Sequence, residues 1–307
     1  MPRPWAWLPE ACRDVRDHVV IYRQLAGCAQ MAAAAAPLGG VQTHSVDPRL
    51  EDCPRETVSR ATVVEMWDES STVKGLKLRI HNQQFTFKAG QWVDFYAPGI
   101  AEMTGFSFCS NPEQLESEGV IELAVKDIVD NPAHWVHTQC KVGVEVTVRV
   151  GGNFYFDPRP SDPPVNLLLV AGGVGINPLR SILMHCVHLM RQRVLTQAGC
   201  QLGKIHLIFT ARTISELIFK DWLLSLVQEF PGKMSLRFHI TRCKSPVTKD
   251  LKPYTTVGRI TGQDLLQASQ GSPHCFVCGP SSMYDFVTDA LGGAGIPKDN
   301  VFYEKWQ

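Results

Sequence analysis

From Thr57 to Phe156 the chain runs in short stretches that alternate apolar with polar residues or are rich in β-branched ones. They are Val58 to Met66, Val73 to Ile80, Gln91 to Tyr96, Val120 to Val125 and Val144 to Val150. Gly90, Pro98-Gly99, Asn111-Pro112 and Gly151-Gly152 punctuate them. A two-residue period turns one side of each stretch toward a core, and the turn residues fold each strand back on the last, so the region predicts a small antiparallel barrel. One helical insertion, Pro132 to Gln139, is expected to interrupt it.

After the stretch Asp157-Pro-Arg-Pro-Ser-Asp-Pro-Pro164 the pattern changes to apolar strand, glycine-rich turn and amphipathic helix, repeated. Strands are expected at Asn166 to Val170, Ile205 to Thr210, Ser235 to Thr241 and Cys275 to Cys278, and helices at Pro178 to Arg193, Ser215 to Glu229, Gln263 to Ala268 and Ser282 to Leu291. Such alternation builds a parallel sheet covered on both faces. The expected fold is therefore two-domain, an antiparallel β-barrel over 56–160 followed by an α/β parallel-sheet nucleotide-binding domain over 164–307. Residues 1–55 differ from both, with Arg3, Arg13, Arg16 and Arg23, an alanine run and Gly39-Gly40. They read as a leader. The arginines suit a transit peptide while Glu10, Asp14 and Asp17 do not, and an extension without fixed structure is the other reading.

Composition narrows the classes. A chain of 307 residues that is 44% hydrophobic has material for one large or two ordinary domains. Thirty basic residues cancel thirty acidic ones, so no net field favours nucleic acid or an anionic membrane. The longest apolar tract is Met31 to Ala36, too short for a spanning helix. Ten cysteines without a repeated spacing do not form a disulfide framework and suit a reducing compartment. Cys275-Phe-Val-Cys278 has the spacing of half a zinc site or a dithiol, but it lies in a buried-strand pattern and a second pair is missing.

Two turns carry the chemistry. Val170-Ala-Gly-Gly-Val-Gly-Ile-Asn-Pro178 follows an apolar strand and opens a helix. Glycine permits a tight turn and close approach of a phosphate to backbone amides, and Pro178 suits a first helical turn. The spacing departs from Gly-x-Gly-x-x-Gly, which leaves a purely structural turn as the alternative. Val277-Cys-Gly-Pro-Ser-Ser-Met283 repeats the arrangement. In an open parallel sheet ligands sit beyond the carboxyl ends of the strands, so the two turns are expected to border one crevice.

With both turns, the barrel signature Phe87-Lys-Ala-Gly-Gln-Trp-Val93 and a terminal Tyr303-Glu-Lys-Trp306, the chain from 57 to 307 resembles the ferredoxin-NADP reductase superfamily. There a flavin-binding barrel precedes a pyridine-nucleotide-binding domain. The resemblance implies that Ala171, Gly172, Gly173, Val174, Gly175, Ile176, Asn177 and Pro178 hold the pyrophosphate of NAD(P)H. It also implies that Cys278, Gly279 and Pro280 line the nicotinamide pocket, with Cys278, Ser107 and Glu304 as the catalytic positions. Trp306 corresponds to an aromatic that covers the flavin, packing on the barrel edge being its other reading. The implied activity is a flavin-dependent NAD(P)H oxidoreductase, with FAD ahead of FMN.

The family's flavin fingerprint, Arg-x-Tyr-Ser, reads Thr104-Gly-Phe-Ser107 here. Phe106 and Ser107 keep the aromatic and the hydroxyl, but the cation that pairs the flavin phosphate is gone. Such a charge-assisted hydrogen bond is worth roughly 1.5–3 kcal/mol, or ~10- to 100-fold in affinity. The second phosphate element, Gly-x-x-Ser, reads Asn131-Pro-Ala-His134. Lys126 or His134 are the available substitutes, and a nucleotide-binding sensor or assembly protein without turnover is the alternative function. Thr241-Arg242 and Lys252-Pro-Tyr254 are similar to the 2′-phosphate elements of NADP-dependent relatives, with Arg212 as a further contact, which leans the expectation to NADP over NAD. No cluster-binding cysteine run or haem attachment sequence occurs, so the electron acceptor is expected to be a separate, unidentified molecule, a protein among the candidates. The leader and the resemblance point to mitochondria, with the cytosol as the alternative.

Overall fold

A computed structural model describes residues 54–129, 132–243, 246–271 and 273–305. The expected leader up to residue 53, Asn131 and Trp306 fall outside these residues.

The first sheet contains β1 (Val58–Ser70), β2 (Val73–Ile80), β3 (Trp92–Tyr96), β4 (Thr104–Ser107), β5 (Val120–Lys126) and β6 (Glu145–Gly151), in the order β4-β3-β6-β1-β2-β5. All five pairings are antiparallel, and the two edges meet through a bridge between Phe108 and Leu123, which closes the sheet on itself. Its interior is filled by alternate residues, among them Ala61, Val63, Leu76, Leu78, Val93, Phe95, Ile121 and Leu123. The sequence pattern ended β1 at Met66. The strand runs on because Trp67 lies across Gly75 of β2, where a Cβ would stand 2.1 Å from the indole.

Two helices, not one, interrupt the barrel: α1 (Pro112–Glu118) and α2 (Pro132–Thr138). Asn111-Pro112, read as a turn, starts α1 with proline in the first turn, and Gly119 ends it at φ +68° with its amide on the Leu115 carbonyl. β4 was not expected either, since its four residues include a glycine and are too few to show alternation.

The second sheet is wholly parallel. It contains β7 (Leu167–Gly172), β8 (Ile205–Ala211), β9 (Met234–Ile240), β10 (Thr255–Val257), β11 (His274–Gly279) and β12 (Val301–Lys305), ordered β10-β9-β8-β7-β11-β12. The helices are α3 (Ile176–Thr196), α4 (Lys220–Glu229), α5 (Gly262–Ala268) and α6 (Ser281–Gly293). The expected helix from Ser215 is shorter: Ile214–Glu216 is a single 3-10 turn, and Phe219 at φ +61° interrupts the path while Leu217 and Ile218 are buried. The edge strands β10 and β12 went unpredicted. β12 is held by Phe302 stacked on Phe276 at 4.7 Å, a contact between strands far apart in sequence.

Barrel and parallel sheet share one apolar cluster, in which Ala89, Cys109, Ala124, Phe154 and Phe156 pack with Ile176, Leu179, Ile182 and Leu183 of α3. Polar links from α3 reinforce it. Asn177 Nδ2 donates to the Ala124 carbonyl at 2.7 Å, Ser181 Oγ accepts from the Gly90 amide at 3.2 Å, and Arg180 donates to the Cys109 carbonyl and, at 3.2 Å, to Glu122. Farther along, His185 pairs with Glu113 of α1 at 2.5 Å.

Burial pushes the Glu113 carboxyl up, but the His185 contact outweighs it and leaves its pKa below the ordinary value. A depressed carboxylate adds stability above its unfolded pKa of about 4.5 and loses it as pH falls through the folded value. Chemical unfolding of His185→Ala is therefore expected to show a shallower loss of stability below pH 4.5 than the parent chain. Parallel acid limbs for the two proteins would contradict this.

Candidate nucleotide and flavin site

The parallel order reverses between β7 and β11, and each of these strands ends in one of the two predicted turns. Every residue of β7 is buried, which is why Leu167-Leu-Leu-Val-Ala171 reads as an unbroken apolar run. The chain then makes a 3-10 turn over Gly173–Gly175 and enters α3, with Pro178 as its third residue. No side chain caps the start of α3 or of α6, whereas α5, at a distance, has a full capping box from Thr261 and Asp264. The positive end of a helix dipole at these starts suits an anion.

The glycines have separate duties. A Cβ on Gly175 would stand 2.2 Å from the Cys278 carbonyl oxygen, and one on Gly172 would meet Pro280 and Met283 at 2.8 and 2.9 Å. Gly279 lies against Gly172, its Cβ position 3.0 Å from that residue's Cα. These three let the turns touch. Gly173 has φ +56° and nothing within 4 Å of its Cβ position, so it faces open space. Among the residues expected to cradle a pyrophosphate, Ala171, Ile176 and Pro178 are buried in the fold, while Gly173 and Val174 are accessible. Asn177 is 4% exposed; its Nδ2 is bonded to the barrel and its Oδ1 has no partner.

Cys278 pairs in register with Ala171 on one side and Glu304 on the other, all three toward the cluster shared with the barrel. The Cys278 side chain is fully buried. Glu304 is half-buried, and burial alone raises its pKa above the ordinary carboxylate range. Cys275 faces the opposite side of β11, packed with Val277 and Leu265, so the two cysteines do not meet. Pro280 is exposed at the mouth of the turn.

On the barrel, Thr104 and Phe106 are half-buried and Ser107 is buried. The Phe106 ring lies 5.3 Å from Phe95, leaning on the barrel interior. Ser107 stands opposite Trp92, whose indole rests on Gly151 and Gly152; a Cβ at either glycine would lie 2.8 or 2.5 Å from it. That glycine pair, read only as a turn, is thus a seat for an aromatic side chain. His134 Nδ1 pairs with Asp127 at 2.7 Å, and this hydrogen bond keeps the Asp127 carboxyl below its ordinary range. An anion therefore stands beside the expected phosphate substitute. Lys126 follows Glu122 and Ala124 on the side of β5 that meets the second domain and makes no ion pair among the described residues.

Thr241 and Arg242 are exposed at the carboxyl edge, their amides bonded to the Ala211 and Arg212 carbonyls at 3.0 and 2.7 Å. Thr241 and Arg242, after β9, thus lie two strands from the first turn, roughly 10 Å at the usual strand spacing, and Arg212, after β8, lies one strand from it. Lys252 and Tyr254 are set lower, in the 3-10 turn before β10, where Pro253 accepts from Arg237 at 3.1 Å. The structure brings the two turns, Cys278 and Glu304 together and places the basic pair on the same edge. The contacts of α3 with the barrel were missed, because a buried amide at 177 and a hydroxyl at 181 carry no local pattern.

Gly175→Ala is expected to destabilise the fold by about 1–3 kcal/mol, since the methyl meets backbone that cannot move alone. Gly173→Ala, with space but a left-handed φ, should cost roughly 1–2 kcal/mol at most. Unfolding midpoints that rank the two the other way would refute this division of roles.

Residues 169–289 match the family described as oxidoreductase NAD-binding domain. The chain is 47% identical over 265 residues to "oxidoreductase NAD-binding domain-containing protein 1" of Xenopus laevis, covering 86% of this chain and 84% of that one. Its fold is similar to that of an Amycolatopsis cytochrome P450 reductase, GcoB, at TM-score 0.65 and 20% identity, over 81% of this chain and 69% of that one. It is also similar to a ferredoxin NADP+ reductase from Neisseria gonorrhoeae with bound FAD and NADP, at TM-score 0.63 and 17% identity, over 81% and 98% of the two chains.

Proposed function

Since the chain belongs to the family of oxidoreductase NAD-binding domain-containing protein 1, we propose that it is a flavin-dependent NAD(P)H oxidoreductase that takes a hydride to flavin and passes electrons to a separate acceptor. The observation that carries this reading is the meeting of two glycine-rich turns at the reversal of strand order, against the barrel, with an uncapped helix start and the open Gly173 at their mouth.

In this reading the amides after Gly173 take the pyrophosphate, while the Asn177 side chain ties the start of α3 to the barrel. Cys278 and Glu304 shape the nicotinamide end, where burial holds the pKa of the half-buried Glu304 carboxyl above its ordinary value. Ser107 and Phe106 remain for the ring of the flavin, FAD before FMN, which supplies the conversion between two-electron and one-electron transfer. The barrel holds water off the rings through the shared apolar cluster. Thr241, Arg242 and Arg212 favour NADP, the acceptor is a protein or small molecule outside the chain, and the Arg-bearing leader favours mitochondria over cytosol.

A second reading rests on Thr104 and on the His134–Asp127 pair, which leave the flavin phosphate without the family's cation. Here the chain binds the nucleotide as a sensor or assembly partner and has no turnover.

A visible spectrum of the purified chain separates the two. The flavoenzyme shows a flavin band that NAD(P)H bleaches without oxygen; a colourless chain that takes up neither FAD nor FMN leaves only the sensor. Gly173→Trp is expected to abolish saturable NAD(P)H binding, which a purely structural turn would not do. Arg242→Ala should weaken NADPH about tenfold, the worth of one charge-assisted contact, and leave NADH unchanged in a binding titration.

A further inference from the structure

The parallel sheet is unequally covered. One face meets α3, α4 and the barrel; on the other, α5 and α6 cover an apolar cluster that includes Leu168, Val170, Ile208, Cys275 and Val277. Past Ile208 this second face becomes polar. Register places His206 beside Ser235, Ile208 beside Arg237 and Thr210 beside His239, so β8 and β9 present a polar strip where a doubly covered sheet has aliphatic residues. A cavity of about 360 Å³ lies over the strip, bordered by Asn166, Lys204, His206, Ser235, Arg237 and Asp264. That volume is at the lower end of small-molecule sites.

The hydrogen bonds leave the cavity's cations unanswered. Arg237 gives one N–H to an uncharged carbonyl, that of Pro253, and has no carboxylate within salt-bridge distance among the described residues. Lys204 likewise has no ion pair there, and its ammonium is exposed. The one bordering carboxylate, Asp264, is engaged through Oδ2 by the Thr261 amide at 2.8 Å and the Thr261 hydroxyl at 2.6 Å. His206 uses Nδ1 on Ser235 Oγ at 2.6 Å, which leaves Nε2. His239, wholly buried at the head of the strip, has no hydrogen-bond partner on either ring nitrogen and stands 3.9 Å from Asp264. Burial and the Arg237 charge both lower the pKa of His206. Two cations thus face a cavity with one carboxylate, Asp264, which is held through Oδ2 by Thr261 and acts on Arg237 only from beyond salt-bridge distance.

We propose that this cavity is a second ligand site, which binds the phosphate group of a small molecule or phosphate itself. The donors stand on different elements: the Arg237 fork on β9, His206 on β8, whose Nε2–H is free when its Nδ1 accepts from the Ser235 hydroxyl of β9, and Lys204 at the entrance. A tetrahedral anion offers acceptors in several directions at once, while a carboxylate offers them in one plane. The site lies by the amino ends of β7, β8 and β9, roughly 16 Å along the strands from the nucleotide turn, and is independent of the function proposed above.

The test uses the full chain and potassium phosphate against potassium chloride at equal ionic strength, with and without saturating NADPH to fill the crevice. A saturable rise in melting temperature is expected in both conditions, because a ligand that binds only the folded chain stabilises it. Arg237→Gln should weaken phosphate at least tenfold while NADPH titrates as in the parent. Lys204→Gln, an exposed position that tolerates exchange, should weaken it in the same direction if Arg237→Gln does not fold. Tighter binding of glycerol 3-phosphate than of inorganic phosphate assigns the site to a phosphomonoester, and the reverse order to phosphate. No saturable shift, a shift abolished by NADPH, or equal shifts in the parent and both variants would overturn the proposal.

Discussion

A carbonyl oxygen stands where the side chain of residue 175 would begin, and much of the second domain follows from that exclusion. With no Cβ at 175, 172 or 279, the turns after β7 and β11 approach to backbone contact, and the starts of α3 and α6, on opposite faces, meet at the carboxyl edge of the sheet. A wider spacing would separate those helix starts and part Cys278 from the turn it touches. The reversal of strand order supplies the crevice, and the missing side chains set its width.

Legibility in the sequence followed the range of the interactions. β2 was readable to the residue because its alternation is local; β7, expected at Asn166 to Val170 and found at Leu167–Gly172, was readable as a strand because burial on both faces leaves an unbroken apolar run. β12 was not, since Phe302 is placed by Phe276 of another strand, and Tyr303 by Tyr284 of α6 at 4.5 Å. Asn111-Pro112 carries the same residues whether it begins a helix or makes a turn, and only the packing of α1 against β5 and α3 decides. The site divides in the same way. The two turns were legible as motifs, but the assignment of closeness to Gly175 and openness to Gly173 required the partner strand. The link from Asn177 to Ala124 joins residues 53 apart and had no local signal.

The barrel keeps its architecture where its binding chemistry departs. Closure through Phe108 and Leu123, the seat of Trp92 on Gly151-Gly152, and the buried Asp94 held by Arg149 through Nε at 2.7 Å maintain the barrel without reference to a ligand. Asp127 beside His134 alters the local charge at the position where the family places a phosphate. Scaffold and charge are separable here because they are carried by different side chains, which do not contact one another.

The contacts at Asn177, Arg180, Ser181 and His185 form one stripe of α3, at the three- and four-residue spacing of a single helix face. The helix that begins at the nucleotide crevice is therefore also the strut on which the barrel is mounted. Widening the crevice as a hinge would break this row and expose the apolar cluster beneath it, so such opening belongs to slow, sub-global unfolding and not to the entry of a ligand. Ligands that enter and leave must do so past side chains at the rim, and the time they take is set by local rearrangement of a fixed frame.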